Sequence, residues 1–503
     1  MTRPDPLQLR REDDWSGVRA VVAGFGVSGF AAADNLTHLG AQVTALAETA
    51  TPAQLEKAEL LEILGARVDI HAGATQTLPD DVDVVVTSPG FRPDAPVLQA
   101  ARSRGIPIWG EVELAWRLRA AGPDGVPAPW LCVTGTNGKT TTVQMLDSIL
   151  QAAGLRSVAA GNVGLPIVEA VMDPAPYDVL AVELSSFQLH YTDSMSAESA
   201  AVLNLAADHL DWYEGASWGE RAGMRAYGDD KGRIFQRVQR ACVYNVADPA
   251  TEHLVREAEV VDGARAVGFT LGMPGVGMVG LVEDLLVDRA FIEERATSAA
   301  ELCSLADLAP DGGAPAPHVV ANALAAAALA RAHGVSQEAV RDGLRAFRLD
   351  GHRIASVGTF GGITWVDDSK ATNPHAAQSS LQAFDRVVWV AGGLAKGATF
   401  DELVGSIASR LAGVVLVGRD RQLIADAVAR HAPDVPVILV DHGEDGGVVD
   451  GLALMRGVVD AAARLAAPGD TVLLAPGCAS MDQFSGYAAR GDAFAAAVRA
   501  RFG

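Results

Sequence analysis

Cysteine is scarce in this 503-residue chain. The four present, Cys132, Cys242, Cys303 and Cys478, stand far apart, with no pair at metal-ligand spacing. A structural zinc or iron–sulfur cluster is therefore not expected, and isolated thiols in a chain this large suit a reducing interior. Basic charge is also short: 40 Lys and Arg against 62 Asp and Glu leave a formal charge of -22. That balance argues against a phosphate-backbone partner, which calls for a basic face. Long apolar runs are missing too. None reaches the roughly 18 residues of a membrane-spanning helix, and the alanine-rich stretch 321–332 is interrupted by Asn322 and Arg331. The polar start, with Arg3, Arg10 and Arg11, has no apolar signal core. A cytoplasmic protein with neither nucleic acid nor membrane as partner is the expectation.

Hydrophobic residues make up 49 % of the chain and charged ones 20 %, ordinary values for a folded domain. At about 150 residues per domain, the length predicts three domains. Short apolar runs at 18–23, 42–46, 82–87 and 106–109 alternate with helix-length segments, a βαβ pattern that implies a mostly parallel sheet. The Pro- and Gly-rich stretch 122–129 reads as a linker. Further strands are expected at 130–133, 178–183 and 200–205, and then at 364–366, 386–391, 413–417, 435–440 and 471–475. The tract 310–317 reads as a surface insertion and 348–353 as a hinge, and 441–450 has no assigned role. The fold class is α/β in three domains: a Rossmann-like one over 1–122, a central P-loop ATPase-like one over 123–349, and a Rossmann-like C-terminal one over 350–503.

The sharpest motif is Gly135-Thr136-Asn137-Gly138-Lys139-Thr140, which follows a buried-strand run and opens a helix pattern. A glycine loop there turns unpaired amides and a helix N-terminus toward a phosphate; the lysine adds a cation and the threonine hydroxyl can ligate Mg²⁺. Val133 stands where the common pattern has its first glycine, so the loop is a shortened variant. The run 178–183 ends on Glu183, placed as a strand-end carboxylate able to hold Mg²⁺, and Ser185 and Ser186 follow. His209, in Asp208-His209-Leu210-Asp211, is a magnesium ligand or an ordinary loop histidine. Near the N-terminus, Gly24-Phe25-Gly26-Val27-Ser28-Gly29 with Glu48 beyond it also fits a dinucleotide-binding turn. A NAD-dependent dehydrogenase would leave the lysine-containing loop unexplained.

These motifs, together with Glu183-Leu184-Ser185-Ser186-Phe187-Gln188-Leu189, Asp350-Gly351-His352-Arg353, Asp368-Ser369-Lys370-Ala371-Thr372-Asn373 and Asp482-Gln483-Phe484, occur in an order that resembles the Mur ligases. The match covers nearly the whole chain. Pro476-Gly477-Cys478-Ala479-Ser480-Met481 and the first glycine loop are similar to the D-glutamate-adding branch of that family, and the Asp-Asn-Pro-Arg motif of the diaminopimelate- and lysine-adding branches is absent. An L-alanine-adding ligase and a folylpolyglutamate synthase are the alternatives within the same chemistry.

The resemblance implies an ATP-dependent ligase with UDP-N-acetylmuramoyl-L-alanine and D-glutamate as substrates, working through an acyl phosphate in peptidoglycan precursor synthesis. It assigns ATP to Gly135, Thr136, Asn137, Gly138, Lys139, Thr140, Thr141, Asn322, Arg353 and Asp368. It assigns two Mg²⁺ to Thr140, Glu183, His209 and a carbamylated Lys231, making Lys139, Glu183, His209 and Lys231 the catalytic set. The precursor falls to Val27, Ser28, Glu48, Thr49, Ser88, Pro89, Gly90, Asn162 and His209. D-Glutamate falls to Thr372, Lys396, Ser480 and Tyr487, in a C-terminal domain that closes on ATP. A monomer is expected. The sequence departs from the family pattern at Glu48 (commonly Asp), Val319 (Asn), Ala395 (Asp) and Tyr487 (Phe).

Overall fold

The computed structural model describes residues 5–122, 125–215, 218, 222–309, 315–348, 351–440 and 450–503. Parts of four expected features lie outside the described residues: 123–124 of the linker, 310–314 of the insertion, 349–350 of the hinge and 441–449 of the last tract.

Three sheets organise the chain. The first contains β1 (Arg19–Ala23), β2 (Gln42–Ala47), β3 (Arg67–Ile70), β4 (Val84–Thr87) and β5 (Ile108–Gly110), in the order β3-β2-β1-β4-β5. All its pairings are parallel. Its two central strands are runs of Val and Ala with scarcely a polar position, as strands covered by helices on both faces must be.

The second sheet holds β6 (Trp130–Thr134), β7 (Ser157–Gly161), β8 (Val179–Glu183), β9 (Ser199–Val202), β10 (Ala241–Asn245), β11 (Arg265–Phe269), β12 (Met278–Val282), β13 (Leu285–Asp288) and β14 (Ala300–Ser304). Their order is β14-β13-β12-β11-β10-β9-β6-β8-β7, parallel from β7 to β12 and antiparallel over the last two pairings. The third sheet holds β15 (Ala355–Phe360), β16 (Ile363–Asp367), β17 (Val387–Gly392), β18 (Leu411–Val417), β19 (Val437–Leu439) and β20 (Thr471–Leu474). Its order is β15-β16-β20-β17-β18-β19, with β15 alone antiparallel to its neighbour.

The expected strands are present with shifted ends. The one at 200–205 stops at Val202, so Leu203 and Asn204 leave the sheet and become available to the phosphate loop. Strands β3, β7, β10 to β15 were not anticipated. All are only four to six residues long; β3 and β11 open on an exposed arginine and β15 has no buried position, while the apolar β12 and β13 are too brief to be told from other short apolar segments.

By packing, the described chain forms two compact units. One comprises 1–205, 212–315 and 319–347; the other comprises 206–211, 316–318 and 348–503. In the first unit a single apolar core runs from Trp15, Val22 and Leu36 to Trp130, Val182 and Phe235, joining the first two sheets. Polar ties reinforce that joint. Gly110 donates its amide to the Tyr191 carbonyl at 2.9 Å, and the Tyr191 hydroxyl donates to the Phe91 carbonyl at 2.7 Å. Glu113, 1 % exposed, accepts the Asp193 and Ser194 amides, each at 2.8 Å.

The helix that opens on the phosphate loop, Lys139–Ala152, is set by its contact with the helix Gln337–Ala346. Gly343 permits that contact: a Cβ there would lie 2.7 Å from the Ile149 nitrogen and closer still to its Cα. The Ser148 hydroxyl donates to the Gly343 carbonyl at 2.7 Å. Backbone cannot yield as a flexible side chain can. Gly343→Ala is therefore expected to cost about 1–3 kcal/mol of stability as an overpacking change, read as a lowered urea midpoint with unchanged slope.

Candidate active site

The loop between β6 and helix Lys139–Ala152 is built as the motif requires. Gly138 is left-handed at φ 85° and caps the helix, and a Cβ there would run into the Asn322 side chain. Only glycine meets both conditions at low cost. Asn204, just past β9, clamps the loop: its carbonyl accepts the Thr136 amide at 3.0 Å, its Oδ1 accepts the Asn137 amide at 2.8 Å, and its Nδ2 donates to the Asn137 carbonyl at 3.1 Å. The Thr136 hydroxyl lies 2.9 Å from the Tyr227 hydroxyl. Thr140 and Thr141, in the first helical turn, are buried.

Two lysines converge on this loop. Lys139 Nζ donates to the carbonyls of Gly135 at 2.8 Å and Thr136 at 2.9 Å. Lys231 Nζ, 2 % exposed on the helix Met224–Gly232, donates to the same Gly135 carbonyl at 2.9 Å and to Thr134 Oγ1 at 3.4 Å. Glu183 ends β8 at 1 % exposure. Asn162 donates to its Oε1 at 2.7 Å, and its Oε2 is buried with no hydrogen-bond partner. The first unit thus gathers the phosphate loop, Glu183, Asn162, Lys231 and Asn322. His209, with φ 52°, groups with the second unit, its Nε2 3.7 Å from Asp208 Oδ1.

No group of three His, Cys, Asp or Glu able to hold a metal ion occurs among the described residues. Mg²⁺ in nucleotide sites takes one or two protein ligands and fills the rest of its octahedron with water and phosphate oxygens. A strand-end carboxylate with an orphaned oxygen fits that mode.

At the carboxyl ends of β1 and β4 a cavity of about 730 Å³ is lined by Gly24, Gly26, Val27, Ser28, Ser88, Pro89, Gly90, Phe91, Arg92, Asp94, Ala95 and Pro96. Five of these, Val27, Ser28, Ser88, Pro89 and Gly90, are the expected precursor residues, and the location is the one where open parallel sheets bind ligands. Ser88 Oγ is buried there without a hydrogen-bond partner. Glu48 and Thr49 do not line the cavity. The Glu48 carboxylate accepts the Gly73 amide at 2.6 Å, the Thr75 amide at 3.0 Å and the Thr75 hydroxyl, which hold it below the usual carboxylate range.

In the second unit, loops leaving the adjacent strands β16, β20 and β17 are laced together. Leu394 and Ala479 exchange amide–carbonyl bonds at 2.9 Å, and Gly477 donates to the Ala371 carbonyl at 2.9 Å. This brings the segments carrying Thr372, Lys396 and Ser480 to one end of the sheet. Lys396 is held at φ 50°, Ser480 is 4 % exposed, and Lys370 Nζ lies 3.9 Å from the Tyr487 ring centroid. Asp368 accepts the Ser380 hydroxyl and the Ile354 amide, with the Arg353 charge nearby.

Three buried polar residues escaped the sequence reading. Arg490, 1 % exposed, donates to Ser369 Oγ at 2.9 Å, to the Ser369 carbonyl at 2.8 Å and to the Cys478 carbonyl at 3.1 Å, pinning two of the laced loops. Tyr227 and Glu111 are the others; all three reach the site only through the tertiary fold. The spacing of Tyr227 from Lys231 on one helix face was the available signal for it.

Comparison with known proteins agrees with this layout. Residues 18–110 match the Mur ligase MurD-like N-terminal domain, 133–330 the Mur ligase middle domain, and 352–478 the Mur ligase glutamate ligase domain. The chain is 57 % identical over 486 residues to UDP-N-acetylmuramoylalanine--D-glutamate ligase of Streptomyces avermitilis, covering 97 % of this chain and 99 % of that one. It is 49 % identical over 512 residues to the enzyme of that name from Mycolicibacterium smegmatis, covering 97 % of each. The crystal structure of UDP-N-acetylmuramate-alanine ligase from Thermotoga maritima superposes with a TM-score of 0.52 at 18 % identity, covering 96 % of this chain and 99 % of that one, a likeness of fold. The chain belongs to the Mur ligase family.

Proposed function

We propose that this chain joins D-glutamate to UDP-N-acetylmuramoyl-L-alanine at the expense of ATP, a cytoplasmic step of peptidoglycan precursor synthesis, and acts as a monomer. The observation that carries the substrate assignment is the 57 % identity, end to end, with a relative named for that reaction. The phosphate loop and the laced loops of the last sheet supply the parts. None of the described helices is long and apolar enough to cross a membrane.

The domain assignment that goes with this reading is 1–122 for the precursor, 123–349 for ATP and 350–503 for the amino acid. The precursor's carboxylate attacks the γ-phosphorus of ATP and ADP leaves; the amine of D-glutamate then attacks the acyl carbon, phosphate leaves, and an amide bond has formed. The difficulty is the approach of two anions. Lys139 and the loop amides neutralise and orient the transferring phosphoryl group. Asn204 fixes the loop that carries those amides. Thr140, Glu183 and His209 are assigned to Mg²⁺, which when bound screens the phosphate charges. Lys231 is assigned a carbamate: its amine takes up CO₂, releases a proton and changes from a donor on Gly135 to an anion. Thr372, Lys396, Ser480 and Tyr487 are assigned to D-glutamate, and Asn322, Arg353 and Asp368 to the nucleotide. Glu48 is assigned to the uracil through its free lone pairs, and Asn162 to the precursor's path.

Asp368 shows what such an assignment costs the fold. Burial pushes its carboxyl up from 3.8 to about 6, against the Ser380 hydroxyl, the Ile354 amide and the Arg353 charge. Between those values the unfolded chain has released the proton that the folded chain retains. Stability therefore falls as pH rises from about 4 to about 6, by up to about 3 kcal/mol for two units, and stays lower above that.

Four outcomes follow. In a coupled phosphate-release assay with the uridine-linked precursor, D-glutamate should support turnover while L-alanine and L-glutamate do not. Lys139→Ala should lower that turnover by about 10²–10³-fold; turnover with the L-amino acids alone would overturn the assignment. For Asp368→Asn, the unfolding free energy at pH 7 should rise by about 1–3 kcal/mol and lose its dependence on pH between about 4 and 6. The same variant should raise the KM for ATP by about tenfold or more, the cost of one charge-assisted hydrogen bond.

A further inference from the structure

Beside the cavity at β1 lies a carboxyl group that the chemistry above does not use. Glu111 is the first residue of the helix Glu111–Arg117 and only 2 % exposed. Its Oε1 accepts the Val168 amide at 3.4 Å, and the Ile167 amide and the Ser28 side chain lie close enough to act on the carboxyl. Its Oε2 is buried with no hydrogen-bond partner. Ser28 lines the cavity.

Among the described residues no cation is found acting on this group, and Lys57 acts instead on the neighbouring Glu169. Helix Ile167–Met172 contributes Glu169, a charge of the same sign. On helix Val27–His38, Asp34 acts on Glu169 and His38 is exposed at the far end. His190, on Ser186–His190, engages Asp230 at 3.0 Å. On the glutamate's own helix, Glu113 and Arg117 pair at 2.7 Å. Strands β4 and β5 contribute no ionisable side chain. Burial pushes the Glu111 carboxyl above the usual carboxylate range; two amides and a hydroxyl pull the other way and are outweighed.

The charge state decides which way the Ser28 hydroxyl points. Against a carboxylate, Ser28 must donate, leaving its lone pairs toward the cavity. Against a carboxylic acid, Ser28 accepts the acid's O–H and its own proton is released toward the cavity. An anionic ligand needs the second arrangement, since it can only accept, and a carboxylate behind the serine would add repulsion in a poorly solvated place.

We propose that Glu111 is a positioning residue for the diphosphate of the cavity's ligand: in its acid form it donates to Ser28 and turns the Ser28 hydroxyl outward onto a phosphate oxygen. The inference rests on reading the cavity as the site of the uridine diphosphate end of the precursor. It makes ligand capture sensitive to pH through a group remote from ATP.

The test is calorimetric titration of the full chain with UDP-N-acetylglucosamine, whose diphosphate has no proton to lose near neutrality. Wild-type affinity should fall by about tenfold per pH unit once Glu111 ionises. Glu111→Gln cannot ionise and donates an N–H to Ser28, so it should keep the low-pH affinity at every pH. Ser28→Ala should bind more weakly and without that pH dependence. Thermal unfolding of each variant establishes that it is folded, and in turnover assays Glu111→Gln should change the pH profile of the precursor's KM and leave kcat alone. One shared pH profile for wild type and Glu111→Gln would overturn the role of Glu111 while leaving the cavity assignment intact. Failure of the wild type to bind at any pH would overturn the cavity assignment and this proposal with it.

Discussion

Two lysine amines meet on a single carbonyl oxygen, that of Gly135, at 2.8 and 2.9 Å. If both are protonated, two like charges stand within about 6 Å, a repulsion of about 3 kcal/mol at an effective dielectric of 20. That crowding is sustained by a rigid frame. The Lys139 side chain is set by the first turn of a helix locked through Gly343, and Lys231 is buried on a helix packed behind the loop. Asn204 holds the loop's own backbone so that it cannot turn away. A site arranged this way is a poor resting place for two cations and a good one for a triphosphate, whose arrival relieves the repulsion. Conversion of one amine to a carbamate would relieve it as well, so the proposed modification and the proposed ligand answer the same electrostatic problem.

The opposite imbalance occurs at Glu183, where a carboxylate oxygen is buried without a hydrogen-bond partner. An unsatisfied buried acceptor costs about 1–3 kcal/mol, more when it is charged. Asn162 satisfies only the other oxygen. Gly135 and Glu183 lie at the ends of the neighbouring strands β6 and β8, the first rich in donors and the second short of them. The chemistry assigned to the site, phosphate on one side and a divalent cation on the other, is the pairing that would settle both.

How much of this was legible in the sequence depended on the range over which the determining residues lie. The phosphate loop was legible because strand, glycines, lysine and hydroxyl are consecutive, and the mechanism of phosphate binding is itself local. The apolar strands β1, β4, β17 and β20 were legible for the same reason, and Val27, Ser28 and Ser88 to Gly90 do line one cavity. Strands β10 to β14 were not, because runs of four or five residues of mixed burial are too short to mark a strand. The domain count came from length and pattern, but the shared core of the first two sheets depends on Trp15 meeting residues such as Trp130 and Phe235, which no local window reveals. The partners of Glu48 were invisible from its own neighbourhood: Gly73 and Thr75 come from the turn after β3, a strand with no apolar run to mark it.

Buried polar residues remote in sequence are the class that sequence reasoning handles worst, and here they position the site. Arg490 lies 121 positions from Ser369, and its guanidinium, deprived of solvent and pulled down to about 10, spends its donors on carbonyls and a hydroxyl of the laced loops. A guanidinium so placed gives up hydration to hold two loops in one register, and a lysine could not reproduce its planar fork. Glu111 is the same device with the opposite charge logic, since burial favours its neutral form near the pH at which Arg490 stays charged. The arginine fixes geometry throughout the neutral range, whereas the acid fixes geometry only while protonated. With the first behind the loops assigned to the amino acid and the second behind the cavity assigned to the diphosphate, the proposed sites would differ in kind, one held permanently and the other responsive to pH.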